Sequence, residues 1–175
     1  PVPVAGHVLV RVKAAGICGS DLHGYRDPER GTSRFMRPYM AGHELAGEIA
    51  ALGPGVTGLE VGQRVGVEPR HPVRCGHCRW CRRGDDQLCP ELGRVNGERV
   101  RSTGFAEYSL ELAEQCYSLP DDLSIEVAAI LDVYAVAVHA LHRVPVDPMH
   151  SVVVLGTGAI GLAIAQVAKV AGAGR

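Results

Sequence analysis

Aromatic side chains are scarce, at 5% of 175 residues with only 2 Phe and 1 Trp, and they are not interleaved with basic residues in the way that stacks nucleotide bases. An excess of one charge is missing too. With 18 basic against 19 acidic residues, the net charge is -1, and nothing marks a surface for a polyanion or an anionic membrane. No apolar run reaches the length of a membrane span, and neither internal repeats nor low-complexity segments stand out. These absences point away from nucleic-acid and membrane partners. What the chain does have is 46% hydrophobic residues over a length that can bury a core unaided.

It also has cysteine in an informative pattern. Cys75, Cys78, Cys81 and Cys89 give C-x2-C-x2-C-x7-C in a Gly- and Arg-rich loop, a spacing that wraps four sulfurs around one ion. A disulfide framework suits small secreted chains without a core, and this chain is neither short nor poor in apolar residues. An iron-sulfur cluster is the nearer rival, since Cys89-Pro90 matches the ferredoxin ending, but ferredoxin runs place the final cysteines closer together. Structural zinc is the better reading. Four thiolates on Zn2+ carry a charge of about -2, and Arg74, Arg79, Arg82 and Arg83 are expected to favour the deprotonated ligands. With all four positions filled, the lobe (70–90) is a staple and the chemistry must lie elsewhere. Cys116, outside the pattern, reads as a small buried side chain, and His71 and His77 flank the cysteines without being needed.

Upstream, the run Cys18-Gly19-Ser20-Asp21-Leu22-His23 and the later Gly42-His43-Glu44 offer a thiol, imidazoles and carboxylates to a second ion. Taken by residue type alone, a Cys and a distant His are more often core residues than ligands. The wider motif changes that balance. Gly42-His43-Glu44-Leu45-Ala46-Gly47-Glu48-Ile49, then Gly53-Pro54-Gly55-Val56 and Val61-Gly62-Gln63-Arg64-Val65, resembles the signature of the zinc-dependent medium-chain alcohol dehydrogenases. The Cys18 run, the four-cysteine lobe and Gly104-Phe105-Ala106-Glu107-Tyr108 fit the same family in the same order, so the resemblance covers nearly the whole chain.

Near the other end, the apolar run 152–155 leads into Gly156-Thr157-Gly158-Ala159-Ile160-Gly161, a G-x-G-x-x-G between a strand-like segment and a helical pattern over 160–171. Glycines there allow a tight turn and close backbone approach, and a helix N-terminus offers N–H groups to a pyrophosphate. The acidic residue expected about 20 positions further on lies past Arg175. A fragment is therefore expected, in keeping with Pro1 at the start. The segment 7–120 reads as short strands, with examples at 7–14, 46–52, 64–68 and 106–110, separated by Gly and Pro turns. A helix capped by 121–124 should then run over 125–143. The expected fold is mixed β and α/β. The resemblance implies a GroES-like β-barrel catalytic domain over 1–123, followed over 124–175 by the linking helix and the first βα unit of a truncated Rossmann domain.

What the resemblance implies for individual residues follows from matching motif positions. Cys18 and His43 match ligands of a catalytic zinc, and Glu44 the acidic neighbour that touches the metal or exchanges with its water. Asp21 matches an acceptor that holds the His43 ring. Ser20 and His23 match a proton relay from the substrate hydroxyl to solvent. Asp132 stands where polyol-type relatives carry the Glu of a Glu-Pro pair, and the proline is dropped. It is expected to ligate zinc directly or through water. His139, two turns later, reads as packing or capping. Tyr25 falls where relatives line the substrate pocket, and the loop 26–37 is expected to cover it. Gly156, Gly158, Ala159, Ile160 and Gly161 match the dinucleotide turn.

The resemblance thus implies two Zn2+ per chain and hydride transfer between an alcohol and NAD or NADP, with zinc lowering the pKa of the substrate hydroxyl. A polyol, cyclitol or small secondary alcohol is favoured, in a cytoplasmic homo-oligomer, dimer or tetramer. The 175 residues alone are expected to be inactive. The alternative is a zinc-stapled relative that lost the catalytic ion and acts as a zinc-independent reductase or a binding module. The presence of both Cys18 and His43 argues for the enzyme.

Overall fold

A computed structural model of the chain describes residues 2–26, 41–68, 74–92, 94–95, 98–99 and 104–175. Contacts divide it into two units, 1–129 and 130–175. The first is organised by strand β1 (His7–Gly16), where Val8 and Val10 alternate with more exposed neighbours as a half-buried strand requires. After α1 (Gly19–Arg26) comes β2 (Glu44–Leu52), then β3 (Arg64–Val67), the short β4 (Arg94–Val95) and β5 (Glu98–Arg99), β6 (Tyr108–Leu112) and β7 (Cys116–Ser118). Five of these form one antiparallel sheet in the order β6-β1-β2-β3-β7, while β4 and β5 pair with each other. Among the described residues the sheet is open, with β6 and β7 as its two ends, so the expected barrel is represented by this ladder.

One face of the sheet carries Val8, Val10, Leu45, Ile49, Val65, Val67 and Cys116 as a buried cluster. The other face of β2 is covered as well, because Ala46 packs with Ala128 and Ala129 next to the short helix α2 (Ile125–Ala128). This double burial explains why the first four residues of β2 are all inaccessible. It also leaves no room at Gly47, where a Cβ would lie 2.1 Å from the Arg11 carbonyl oxygen of the neighbouring strand.

The helix expected over 125–143 is two helices. Ser124 caps α2, accepting from the Val127 N–H at 3.2 Å. The backbone then leaves helical geometry at Ile130 (φ -102°, ψ 16°) before α3 (Leu131–Arg143) starts. Each piece packs on a different partner. The first belongs to the sheet, and the second lies in the other unit against α4 (Ala159–Val170), burying Val133, Ala137 and Ala163. The run 152–155, expected as a strand, forms none. A strand needs a ladder, and among the described residues the one backbone bond of this run joins the Val152 N–H to the Arg175 carbonyl at 2.7 Å; Val153 and Leu155 stay 81% and 94% exposed. His139, read as packing or capping, is exposed on α3. No helix among the described residues is long and apolar enough to cross a membrane.

Candidate metal centres

Two groups of metal-type ligands occur among the described residues, each with its donor atoms within 4.8 Å of one another. The first is Cys75, Cys78, Cys81 and Cys89. Two single turns of tight helix, at Cys81–Arg83 and Asp86–Leu88, fold the lobe back on itself, with Gly84 in the left-handed region (φ 78°) between them. Sulfur pairs lie at 3.5 Å (Cys78 and Cys81), 3.7 Å (Cys75 and Cys89) and 4.0 Å (Cys75 and Cys81). All six cysteines of the chain are free thiols, so no disulfide competes.

Backbone N–H groups already point at these sulfurs: Cys78 N–H donates to Cys75 Sγ at 3.3 Å and Cys75 N–H to Cys89 Sγ at 3.4 Å. The backbone amides of His77 and Cys78 hold the Cys75 thiol down at about 6, while desolvation pushes Cys81 up to about 12. The flanking arginines do not supply this effect. Arg74 pairs with Asp86, Arg83 with Asp85 at 3.4 Å, and Arg79 lies 4.1 Å over the Trp80 ring. At Cys75 the lowering comes from the amides, with no arginine among its causes. His77 is engaged with the Cys75 carbonyl at 2.7 Å, and His71 lies outside the described residues.

The second group is Cys18, His43 and Glu44. The sheet register brings it together. β1 ends at Gly16 directly opposite Glu44, the first residue of β2, so the chain just past one strand meets the chain just before the next. Asp21, 9% exposed, then ties the two sides: its Oδ2 accepts from the Cys18 N–H at 3.1 Å and its Oδ1 lies 3.6 Å from His43 Nδ1. Oδ1 faces the histidine as expected, at a distance longer than a hydrogen bond; the contact to the Cys18 backbone is additional. On the far side, Gly42 (φ 87°) lies under Phe105, whose ring a Cβ would approach to 2.7 Å. Hydrogen bonds from Gly104 and Phe105 N–H to the Gly42 and Ala41 carbonyls hold that segment in place.

Glu44 is only 7% exposed, and no hydrogen bond or ion pair is made by its carboxylate among the described residues. A buried carboxylate is costly without a cation or donor. A carboxylate buried beside a thiol and an imidazole, with no partner among the described residues, therefore fits a divalent metal, with sulfur, nitrogen and oxygen donors of the zinc type.

The remaining expected site residues are placed as follows. Ser20 and His23 are exposed on α1, as is Tyr25. Asp132 is in the first turn of α3, in the second unit. Residues 27–37 of the expected covering loop lie outside the described residues. In the glycine turn, Gly156 takes a left-handed conformation (φ 103°), Gly158 is the N-cap of α4, and Ala159, Ile160 and Gly161 form its first turn. A Cβ on Gly161 would lie 2.0 Å from the Gly156 carbonyl oxygen, so the helix starts in direct backbone contact with the turn. Sequence reasoning missed Gly16 and Phe105, because their roles depend on strand register and on contacts across loops.

Known proteins can now be set beside this geometry. Residues 4–121 match the family described as alcohol dehydrogenase GroES-like domain. The chain is 40% identical over 176 residues to sorbitol dehydrogenase of Bacillus subtilis (strain 168), covering 99% of this chain and 49% of that protein. A cobalt- and zinc-bound thermostable alcohol dehydrogenase from Pyrobaculum aerophilum superposes with a TM-score of 0.81 at 34% identity, over 99% of this chain and 51% of that one. A short-chain alcohol dehydrogenase from E. coli CFT073, solved with NADH, gives 0.81 at 36% identity, over 97% and 47%. The chain thus spans about half the length of the curated relatives it matches. With the match running from before β1 to beyond β7, the chain belongs to the alcohol dehydrogenase GroES-like domain family.

Proposed function

We propose that this chain is the metal-binding part of an NAD- or NADP-dependent oxidoreductase that oxidises a polyol, cyclitol or small secondary alcohol. The observation that carries the reading is the buried Glu44 carboxylate, without a partner among the described residues, within 4.8 Å of the Cys18 and His43 donor atoms inside a domain of this family. Cys18, His43 and Glu44 would hold the catalytic zinc, with Asp132 as a further ligand, directly or through a water. Cys75, Cys78, Cys81 and Cys89 would hold a structural zinc. When bound, zinc supplies Lewis acidity that lowers the pKa of an alcohol hydroxyl, and a nicotinamide supplies the hydride acceptor.

The chain's own groups do the rest. Asp21 accepts from the Cys18 N–H and faces the His43 ring at 3.6 Å, from where it would orient that ring as the ion binds. The Ser20 hydroxyl takes the proton of the substrate hydroxyl and the His23 imidazole passes it to solvent, a role suited to their exposure on α1. The turn of Gly156, Gly158, Ala159, Ile160 and Gly161 offers the N-terminal amides of α4 to the cofactor pyrophosphate. The polyol class is supported by the likeness to sorbitol dehydrogenase, and the nicotinamide by the likeness to the NADH-bound structure. The same reading assigns 1–123 to the catalytic domain and 124–175 to the start of a dinucleotide-binding domain, in a cytoplasmic homodimer or homotetramer.

Metal analysis of the whole protein tests it. Two zinc ions per chain are expected, falling to one in Cys18→Ala and in Cys89→Ala, with NAD(P)-dependent oxidation of sorbitol-like polyols lost in Cys18→Ala. A single zinc that survives Cys18→Ala overturns the catalytic-metal reading, and iron at the four cysteines overturns the structural one.

A further inference from the structure

The end of β1 contains a glycine that the family-based roles leave unused. Gly16 pairs with Glu44 across the β1–β2 ladder. A Cβ built on Gly16 would lie 2.2 Å from Glu44 Oε2, 3.3 Å from its carboxyl carbon and 3.0 Å from its Cβ. The first distance is far inside van der Waals contact. The Glu44 side chain therefore folds back over the bare Cα of Gly16, filling the volume where any other residue keeps its Cβ. Gly16 is not among the glycines with positive φ, so conformational freedom does not explain it. Space does. Among the described residues the contact that meets the carboxylate beside Cys18 and His43 is this bare Cα of Gly16.

We infer that Gly16 is a positioning residue: the missing side chain is the slot that aims the Glu44 carboxylate at the Cys18 and His43 donors. This rests on the metal reading of that group given above. Gly16 touches neither ion nor substrate and acts only through Glu44. The neighbouring Gly19 is the natural control, since a Cβ there meets nothing within 4 Å.

The test is a Co2+ titration of the whole protein with zinc retained in the four-cysteine lobe, followed by thiolate-to-cobalt absorption. Gly16→Ala is expected to weaken Co2+ binding about tenfold or more, the scale on which displaced supporting contacts act at metal sites. Gly19→Ala should leave binding unchanged. Added to Glu44→Ala, Gly16→Ala should change it by less than about twofold, because the coupling partner is gone. The Glu44 Cβ remains in that double variant, so the comparison isolates the carboxylate.

Equal Co2+ affinity in wild type and Gly16→Ala overturns the inference. So does a Gly16→Ala effect that persists undiminished beside Glu44→Ala. Should Gly16→Ala fail to fold, a folded double variant supports the slot, and failure of both overturns it by placing the conflict in the strand pairing. A wild-type protein that takes up no Co2+ at this group refutes the metal reading separately. The slot is then judged by unfolding midpoints in the metal-free protein, where Glu44→Ala should restore what Gly16→Ala loses, and a loss left unrestored overturns it.

Discussion

Cys116 shows how one buried thiol can set a pH limit. It is 8% exposed, donates to the Leu112 carbonyl at 3.6 Å, and is pushed up to about 12 by desolvation first and the charge of Glu111 second. The folded state therefore keeps the proton that the unfolded chain releases near 9. Stability from the neutral thiol is complete below about 9 and is lost as pH rises towards about 12, by at most about 1.4 kcal/mol per pH unit. Urea unfolding from pH 8 to 10.5 should show wild type losing stability faster than Cys116→Ala; parallel curves would refute this origin. Residue type and isolation made the burial of Cys116 legible in the sequence. The Cys75 quartet was legible from residue type and spacing, and the Cys18, His43 and Glu44 trio from the resemblance of the wider motif. Gly16 was not, since nothing along the chain says which residue a glycine will face across a ladder.

The helical elements show where periodicity misleads. The apolar density over 125–143 is continuous, yet its first part is matched to Ala46 on the sheet and its second to α4, and the backbone turns between them at Ile130. Density records burial without saying against what. The run 152–155 makes the complementary point: β-branched residues favour a strand, but the described residues provide no ladder to complete one. The cap that begins α2 gives this scale its prediction. Ser124 Oγ accepts one of the helix's free N–H groups, and with only four residues the helix has few other bonds to hold it. Ser124→Ala should cost about 1 kcal/mol in chemical unfolding of the sheet unit, and Ser124→Asp should recover most of it. If Ser124→Ala is neutral, the cap does not stabilise α2.

At the scale of the molecule, apolar packing and metal divide the task of holding the chain together. Among the described residues none of the three hydrophobic clusters draws on 74–92, so this part of the lobe lacks a packed interior of its own and relies on its ion for order. Cys89→Ala, or chelation, should open the lobe to trypsin at Arg79, Arg82 and Arg83 while the unfolding midpoint of the sheet changes little; a lobe that stays resistant without metal would contradict this. The other group of ligands depends on the sheet in a different way. Between the start of β1 and Gly16 the pairing with β2 shifts twice, between Leu9 and Val10 and between Val12 and Ala14. Each bulge inserts a residue on one side and advances the partner strand. The extra residue is Ala50 of β2 in the first and Lys13 of β1 in the second, so the two shifts cancel; one without the other would move Gly16 off Glu44 and Cys18 away from His43. A chain that zipped without one of them would still form a sheet but would lose its ion-binding trio. Capture of a metal ion thus acts as proofreading: it rewards the one alignment of β1 on β2 in which every later step of the fold is correctly in phase.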